Sequence, residues 1–177
     1  MKTALLIIDV QQGLCEGKYT TFESQRVIAN VNMVSKKVRD AGALVIFIQH
    51  ESSSGLLTFG SKAWQLADGL HIEPSDLRLR KTASDSFHQT ELDALLKQHA
   101  ITNLIICGMQ TEFCVDTTVR RALALTYPVV LVADAHTTED SEILTAAQII
   151  RHHNRTLTNI DSFGVVAVAV AASDVLI

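Results

Sequence analysis

The stretch Ile106–Arg121, ICGMQTEFCVDTTVRR, decides the fold. An apolar run, Leu104-Ile105-Ile106-Cys107, stops at Gly108. An apolar-periodic segment then opens near Glu112 and continues through Val115, Val119, Ala122 and Leu123. A buried strand, a glycine turn and a helix start account for that pattern. Cys114 then falls in the first helical turn, where free backbone N–H groups and the helix dipole stabilise an anion. Such a place lowers a thiol pKa, and the thiolate is the reactive form. A free cysteine is also a common core residue, so position alone leaves a nucleophile and a packing residue as equal readings.

Outward from this stretch the same alternation repeats. Further apolar runs are Thr3–Ile8, ending at Asp9; Ala43–Ile48, ending at Gln49-His50; Val129–Ala133, ending at Asp134; and Gly164–Val170. The short segment Leu77–Lys81 alternates apolar and basic residues and reads as a further strand. Runs this continuously apolar belong to strands covered on both faces, the habit of parallel sheets. Between them the spacing predicts helices over Glu23–Ala41, Thr90–Ala100, Glu112–Leu125 and Ser141–Thr156. The first presents Val27, Ile28, Val31, Val34 and Val38 on one face, with Gly42 as its stop. Strand–helix alternation of this kind predicts an α/β sheet wrapped by helices, in one domain over residues 1–177. The long irregular stretch between His50 and Ser75 holds the only tryptophan, Trp64, and a loop of that length in a compact domain is usually functional.

Composition narrows the classes. The chain has 177 residues, 47% of them hydrophobic, enough for a substantial core. The net charge of −4 and the lack of a long basic run argue against a nucleic-acid partner. No apolar stretch is long enough to span a membrane. Three cysteines, Cys15, Cys107 and Cys114, make neither a disulfide framework nor a zinc knuckle. They fit a reducing, cytoplasmic setting, and no signal-peptide cleavage pattern follows Thr3–Ile8.

In open α/β sheets ligands bind at the carboxyl ends of the strands. Asp9, His50, Lys81, Cys114 and Asp134 all stand at or just beyond such ends. Each has an ordinary reading alone: a turn residue, a solvated lysine, a cap. Together a thiol, a carboxylate and an ammonium make a nucleophile, a base and an electrostatic stabiliser.

These residues resemble the cysteine hydrolases of the isochorismatase-like superfamily, which includes nicotinamidases and the N-carbamoylsarcosine, ureidoacrylate, biuret and streptothricin hydrolases. The likeness covers almost the whole chain. Asp9-Val10-Gln11 is similar to the family's D-x-Q opening. Lys81 with Ser86-Phe87 and Thr90-x-Leu92 resembles its K-x-x-x-S-x-F-x-x-T-x-L. Gly108 to Val115 resembles its G-x-x-T-x-x-C-V, and Asp134-Ala135 followed by Thr137 resembles a later D-A-x-x-T motif. The resemblance implies a three-layer α/β/α, Rossmann-like fold with a six-stranded, mostly parallel sheet, and a homodimer or homotetramer. It implies Cys114 as nucleophile, Asp9 as general acid/base and Lys81 as third member of the triad. It also implies a cis peptide at Met109–Gln110 and an oxyanion hole made by the amides of Gln110 and Cys114. Metal-dependent members carry an Asp-x-His pair after the second strand; here the place reads Gln49-His50-Glu51-Ser52, and His71 is a loop residue. No metal and no cofactor is therefore expected.

Candidate pocket residues are Gln11, Cys15, His50, Trp64, Met109 and Phe113. The expected activity is cleavage of a C–N bond in a small amide, carbamoyl or ureido substrate through a thioester. The alternatives are vinyl-ether hydrolysis of an isochorismate-like compound, and a non-catalytic or redox-sensing protein on the same fold.

Overall fold

The computed structural model describes residues 2–177. Six strands, β1 (Thr3–Ile8), β2 (Leu44–His50), β3 (Leu77–Lys81), β4 (Asn103–Met109), β5 (Val129–Thr137) and β6 (Ala167–Val170), form one sheet in the order β3-β2-β1-β4-β5-β6. Every pairing is parallel, so the sheet is wholly rather than mostly parallel. The helices are α1 (Gln12–Cys15), α2 (Ser24–Asp40), α3 (Leu92–Gln98), α4 (Asp116–Ala124) and α5 (Ala146–Leu157). The core has two halves because strand residues alternate faces. Leu6, Ile8, Ile46 and Ile106 pack with Leu92 and Leu96 of α3 and Val119 and Leu123 of α4. Leu5, Ile7, Phe47 and Ile105 pack with Val27, Ile28, Val31, Val34 and Val38 of α2, the helical face that the spacing predicts.

The chain runs outward from β1 through β2 to β3, then returns to place β4 on the other side of β1. The strand order reverses between β1 and β4, and the crevice past their carboxyl ends is where ligands of such sheets bind. Gly108 lets the two strands close there. Its φ is +122°, and a Cβ on it would lie 2.0 Å from the Ile8 carbonyl oxygen, so only glycine fits.

Several sequence boundaries move. The fourth predicted strand does not stop before Asp134. From Ile106↔Leu131 to Gly108↔His136, β4 advances two residues and β5 five. This bulge carries Asp134 away from the rim: its carboxylate accepts from the Ala172 amide at 2.8 Å, and its carbonyl accepts from Asn30 Nδ2 at 2.8 Å. The last predicted helix begins later, at Ala146, because Thr145 and Gln148 form a reciprocal capping box. The preceding Ser141–Leu144 is a turn closed on the Ser141 hydroxyl, and Ile143 is exposed. Thr90 lies just ahead of α3, which begins at Leu92: its hydroxyl donates to the Ser86 carbonyl at 2.6 Å and accepts from the Leu92 amide at 3.3 Å.

Candidate active site

β1 ends at Asp9, whose φ of +52° is a left-handed conformation that aspartate tolerates better than most residues. Its amide donates to the Ile48 carbonyl at 2.8 Å, and its own carbonyl accepts from the Gln11 amide at 2.8 Å. The bent strand end thus hangs between β2 and α1. β2 ends at His50 and β3 at Lys81, which are paired across the two strands. After β4 the Met109–Gln110 peptide is cis, as the resemblance implies. Thr111–Val115 then forms a π-helical turn ahead of α4, so Cys114 sits in that turn rather than in the first turn of a regular helix. Single π turns occur often at functional sites.

These elements bring three side chains together. Lys81 is buried, and its Nζ donates to Asp9 Oδ2 at 2.7 Å and to Cys114 Sγ at 3.1 Å. It also lies 3.1 Å from the Ala83 carbonyl oxygen and 3.3 Å from His50 Nδ1. Asp9 Oδ1 is buried with no hydrogen-bond partner among the described residues. An orphaned carboxylate oxygen in such a place is a proton acceptor in waiting.

The electrostatics differ from what a helix start alone suggests. Burial, followed by the Asp9 carboxylate, pushes the Cys114 thiol up to about 12, against the opposing pull of Lys81. Cys114 therefore rests as a thiol. Burial and then the Lys81 ammonium hold His50 below its ordinary value, so its Nδ1 lone pair faces the lysine. Lys81 itself is held above its ordinary value by Asp9 and then Cys114, which outweigh its burial.

Asp9, His50 and Cys114 each offer a donor atom within 4.8 Å of the other two, a spacing that suits a metal ion. Lys81 Nζ lies among these donors, at 2.7 to 3.3 Å from an atom of each. A divalent cation would meet an ammonium there, so the donor set does not fit a metal. His71 is elsewhere, tied to α2 by Asn32 and Arg39.

The candidate pocket residues divide. Gln11 is fully buried and spends its amide on backbone: Nε2 donates to the carbonyls of His50 (3.0 Å) and Trp64 (2.7 Å), and Oε1 accepts from the His50 amide (2.9 Å). It braces the rim and presents nothing to a ligand. Cys15 and Met109 pack against each other, Sγ to Sδ 3.7 Å, in the α2 half of the core, whereas Cys114 packs against the other half. Burial and then Glu16 push Cys15 up to about 12. Trp64 holds the long loop to the rim through its carbonyl, which accepts from both Gln11 and Gln49. Its ring meets Phe59 edge-on at 4.8 Å, and its Nε1 is buried without a partner among the described residues. It lines a cavity of about 650 Å³ that reaches Lys81. A second cavity, about 590 Å³, lies at the opposite ends of β1 and β2, near Thr3 and Leu44, away from these groups. Phe113, beside Cys114, is exposed.

The sequence marks Thr111 only as a position of the family-like motif and leaves His136 unmarked. Both are buried, 2.9 Å apart from Nδ1 to Oγ1, and Thr111 opens the turn that carries Cys114. A lone histidine within an apolar run gives no signal of such a role.

The profile of the Isochorismatase domain matches residues 3–162. A streptothricin hydrolase from Streptomyces noursei is 37% identical over 138 residues, 77% of this chain and 50% of that enzyme, so the chain spans half the length of this relative. A probable inactive nicotinamidase from Arabidopsis thaliana is 34% identical over 81% of this chain and 85% of its own length. The crystal structure of an isochorismatase family protein is 38% identical and superposes with a TM-score of 0.87 over 96% of this chain and 98% of that one. No helix among the described residues is long and apolar enough to cross a membrane.

Proposed function

The chain belongs to the isochorismatase family, and we propose that it is a hydrolase in which Cys114 attacks a small amide, carbamoyl or ureido substrate and releases its nitrogen through a thioester. One observation carries the reading: Lys81 Nζ joins Asp9 Oδ2 and Cys114 Sγ at 2.7 and 3.1 Å, and the other Asp9 oxygen, Oδ1, is buried without a hydrogen-bond partner among the described residues.

The chemistry follows from the protonation states. Asp9 takes the proton of the Cys114 thiol as sulfur bonds to the substrate's carbonyl carbon. The Lys81 ammonium holds the Asp9 carboxylate in place and stabilises the sulfur as its charge develops. The backbone amides of Gln110 and Cys114, on either side of Thr111–Phe113, are assigned to the oxyanion. The tetrahedral adduct collapses as Asp9 returns the proton to the departing nitrogen. Water then gives a proton to Asp9 and attacks the thioester. Asp9 returns that proton to sulfur, and the acid leaves.

The test is ammonia or amine release across a panel of small amides, carbamates and ureas, with Cys114→Ala and Asp9→Asn alongside. General acid–base assistance is worth roughly 10²- to 10⁴-fold, so Asp9→Asn is expected to lose at least about 100-fold, and Cys114→Ala all covalent turnover. Wild-type turnover in either folded variant refutes the assignment.

A further inference from the structure

The bulge in β5 has a chemical consequence at the active-site turn. It places His136 opposite Gly108, with its ring between the π-helical turn and α5. The imidazole is 1% exposed and uses both nitrogens. Nε2 lies 2.9 Å from Asn154 Oδ1, and Nδ1 lies 2.9 Å from Thr111 Oγ1. The proton positions follow from the partners. Asn154 Nδ2 is 3.0 Å from the Ala133 carbonyl oxygen, which can only accept. Asn154 Oδ1 therefore faces the ring as an acceptor, and Nε2 must donate to it. Nδ1 then carries the lone pair, and the Thr111 hydroxyl donates to it. Burial keeps this imidazole neutral by pushing it down to about 4.

Thr111 is itself fully buried, and His136 is the only side-chain partner of its hydroxyl among the described residues. The threonine is the first residue of the turn, directly after Gln110. A π turn is rare beside the α-helix it precedes, so a buried hydrogen bond at its first residue is well placed to hold it. Loss of the turn would shift Cys114 relative to Asp9 and Lys81, because Cys114 lies within it.

We propose that His136 is a positioning residue for the nucleophile: by accepting the Thr111 hydroxyl proton, and being itself fixed by Asn154, it holds the π-helical turn that presents Cys114 to Lys81 and Asp9. The assignment rests on Cys114 as the reacting group. A buried imidazole is a costly filler in an apolar layer unless its hydrogen bonds are used, and here one of them falls on the catalytic turn.

The test uses the full chain with His136→Gln, His136→Asn, Thr111→Val and, as reference, Lys81→Met. The readout is the rate of Cys114 alkylation by iodoacetamide at pH 8.5, followed on its peptide by mass spectrometry, with thermal melting of each variant. An Asn carbonyl reaches the place of Nδ1 and can still accept from Thr111; a Gln side chain extends towards Asn154 instead. Thr111→Val and His136→Gln are expected to change the Cys114 rate at least tenfold in either direction, because the thiol leaves the setting that burial, Asp9 and Lys81 jointly fix, and His136→Asn to bring the rate back to within threefold of wild type. Gln conserves volume better than Asn, so a pure packing role predicts the opposite order. Equal changes in the two His136 variants, or a folded Thr111→Val with the wild-type rate, overturn the proposal. If the His136 variants do not fold, Thr111→Val decides alone, because it keeps the side-chain shape. Slowing by Lys81→Met with an unchanged rate in the other three removes only His136 from the machinery. An unchanged rate in Lys81→Met removes the triad instead.

Discussion

Lys81→Met separates the two charges that act on Cys114. The ammonium sits 3.1 Å from Sγ. At that distance the attraction to a thiolate is about 5 kcal/mol with an effective dielectric of about 20, and about 1.3 kcal/mol in bulk water. At about 1.4 kcal/mol per pKa unit these bounds correspond to roughly four units and roughly one unit. Lys81 is buried while Cys114 is only partly so, which puts the real value between them. Thiolate fraction falls tenfold per unit, and greater basicity returns about half of the logarithm as nucleophilicity. The net slowing of alkylation is then about 3-fold to about 100-fold. Because the wild-type thiol is already held near 12, its rate should climb with pH from 6 to 10 without a plateau, and the variant should run parallel and lower. Asp9→Asn should move the other way. Its carboxylate raises the thiol, so the amide variant should alkylate faster at every pH even though the proposed turnover falls. The assay is iodoacetamide labelling resolved by peptide, with the buried Cys15 and Cys107 as internal references. A Lys81→Met rate equal to or above wild type, or a wild-type plateau below pH 7, refutes this account of the site.

Three further outcomes follow from the geometry. Gly108→Ala drives a Cβ to 2.0 Å from the Ile8 carbonyl, a backbone clash that should cost more than about 4 kcal/mol; soluble protein with a native far-UV spectrum and wild-type melting would contradict it. Lys81→Met strands the buried Asp9 carboxylate and should cost about 3–5 kcal/mol in urea unfolding at pH 7.5, with Asp9→Asn/Lys81→Met recovering part of it; a double variant no more stable than Lys81→Met would count against the pair. His136 is held near 4 in the folded chain against about 6.5 unfolded. The unfolded state therefore binds the extra proton between those values, and stability present above pH 6.5 is lost as pH falls towards 4, by up to about 3 kcal/mol. His136→Asn should remove that part of the slope, and an unchanged slope would place the pH sensitivity elsewhere.

Asp9, Lys81 and Cys114 are legible in the sequence because each stands at or just beyond the end of a strand-like segment, and parallel strands put all such ends on one rim. The charge state of Cys114 is not legible. A helix start reports only local dipoles, whereas the burial and the Asp9 carboxylate that raise the thiol come from strands distant in the chain. Asp134 misleads for a related reason. An aspartate that interrupts an apolar run reads as a strand end, but here it sits inside a bulge and ties down the Ala172 turn. Gln11 reads as a pocket residue by its place after β1, yet two neighbouring backbone segments claim its amide. At α5 the apolar pair Ile143-Leu144 fits a helical face, and the Thr145 capping box that follows directly overrides it.

The proton count at Lys81 connects the static cage to its chemistry. The ammonium has three protons and four acceptors within 3.3 Å: Asp9 Oδ2, Cys114 Sγ, Ala83 O and His50 Nδ1. One acceptor is always short of a hydrogen. In the resting state the carboxylate is the strongest claimant and the neutral thiol a weak one. In the proposed mechanism the order reverses once Asp9 takes the thiol proton: the carboxyl is neutral and sulfur carries the charge. A proton of the ammonium can then swing towards sulfur without a new group entering or the lysine leaving its place, and His50, neutral throughout, gives way. The anionic charge moves from oxygen to sulfur while its counterion stays still, so little reorganisation opposes the transfer. A thiol that is inert at rest and becomes a nucleophile only as Asp9 accepts its proton is the state this arrangement favours.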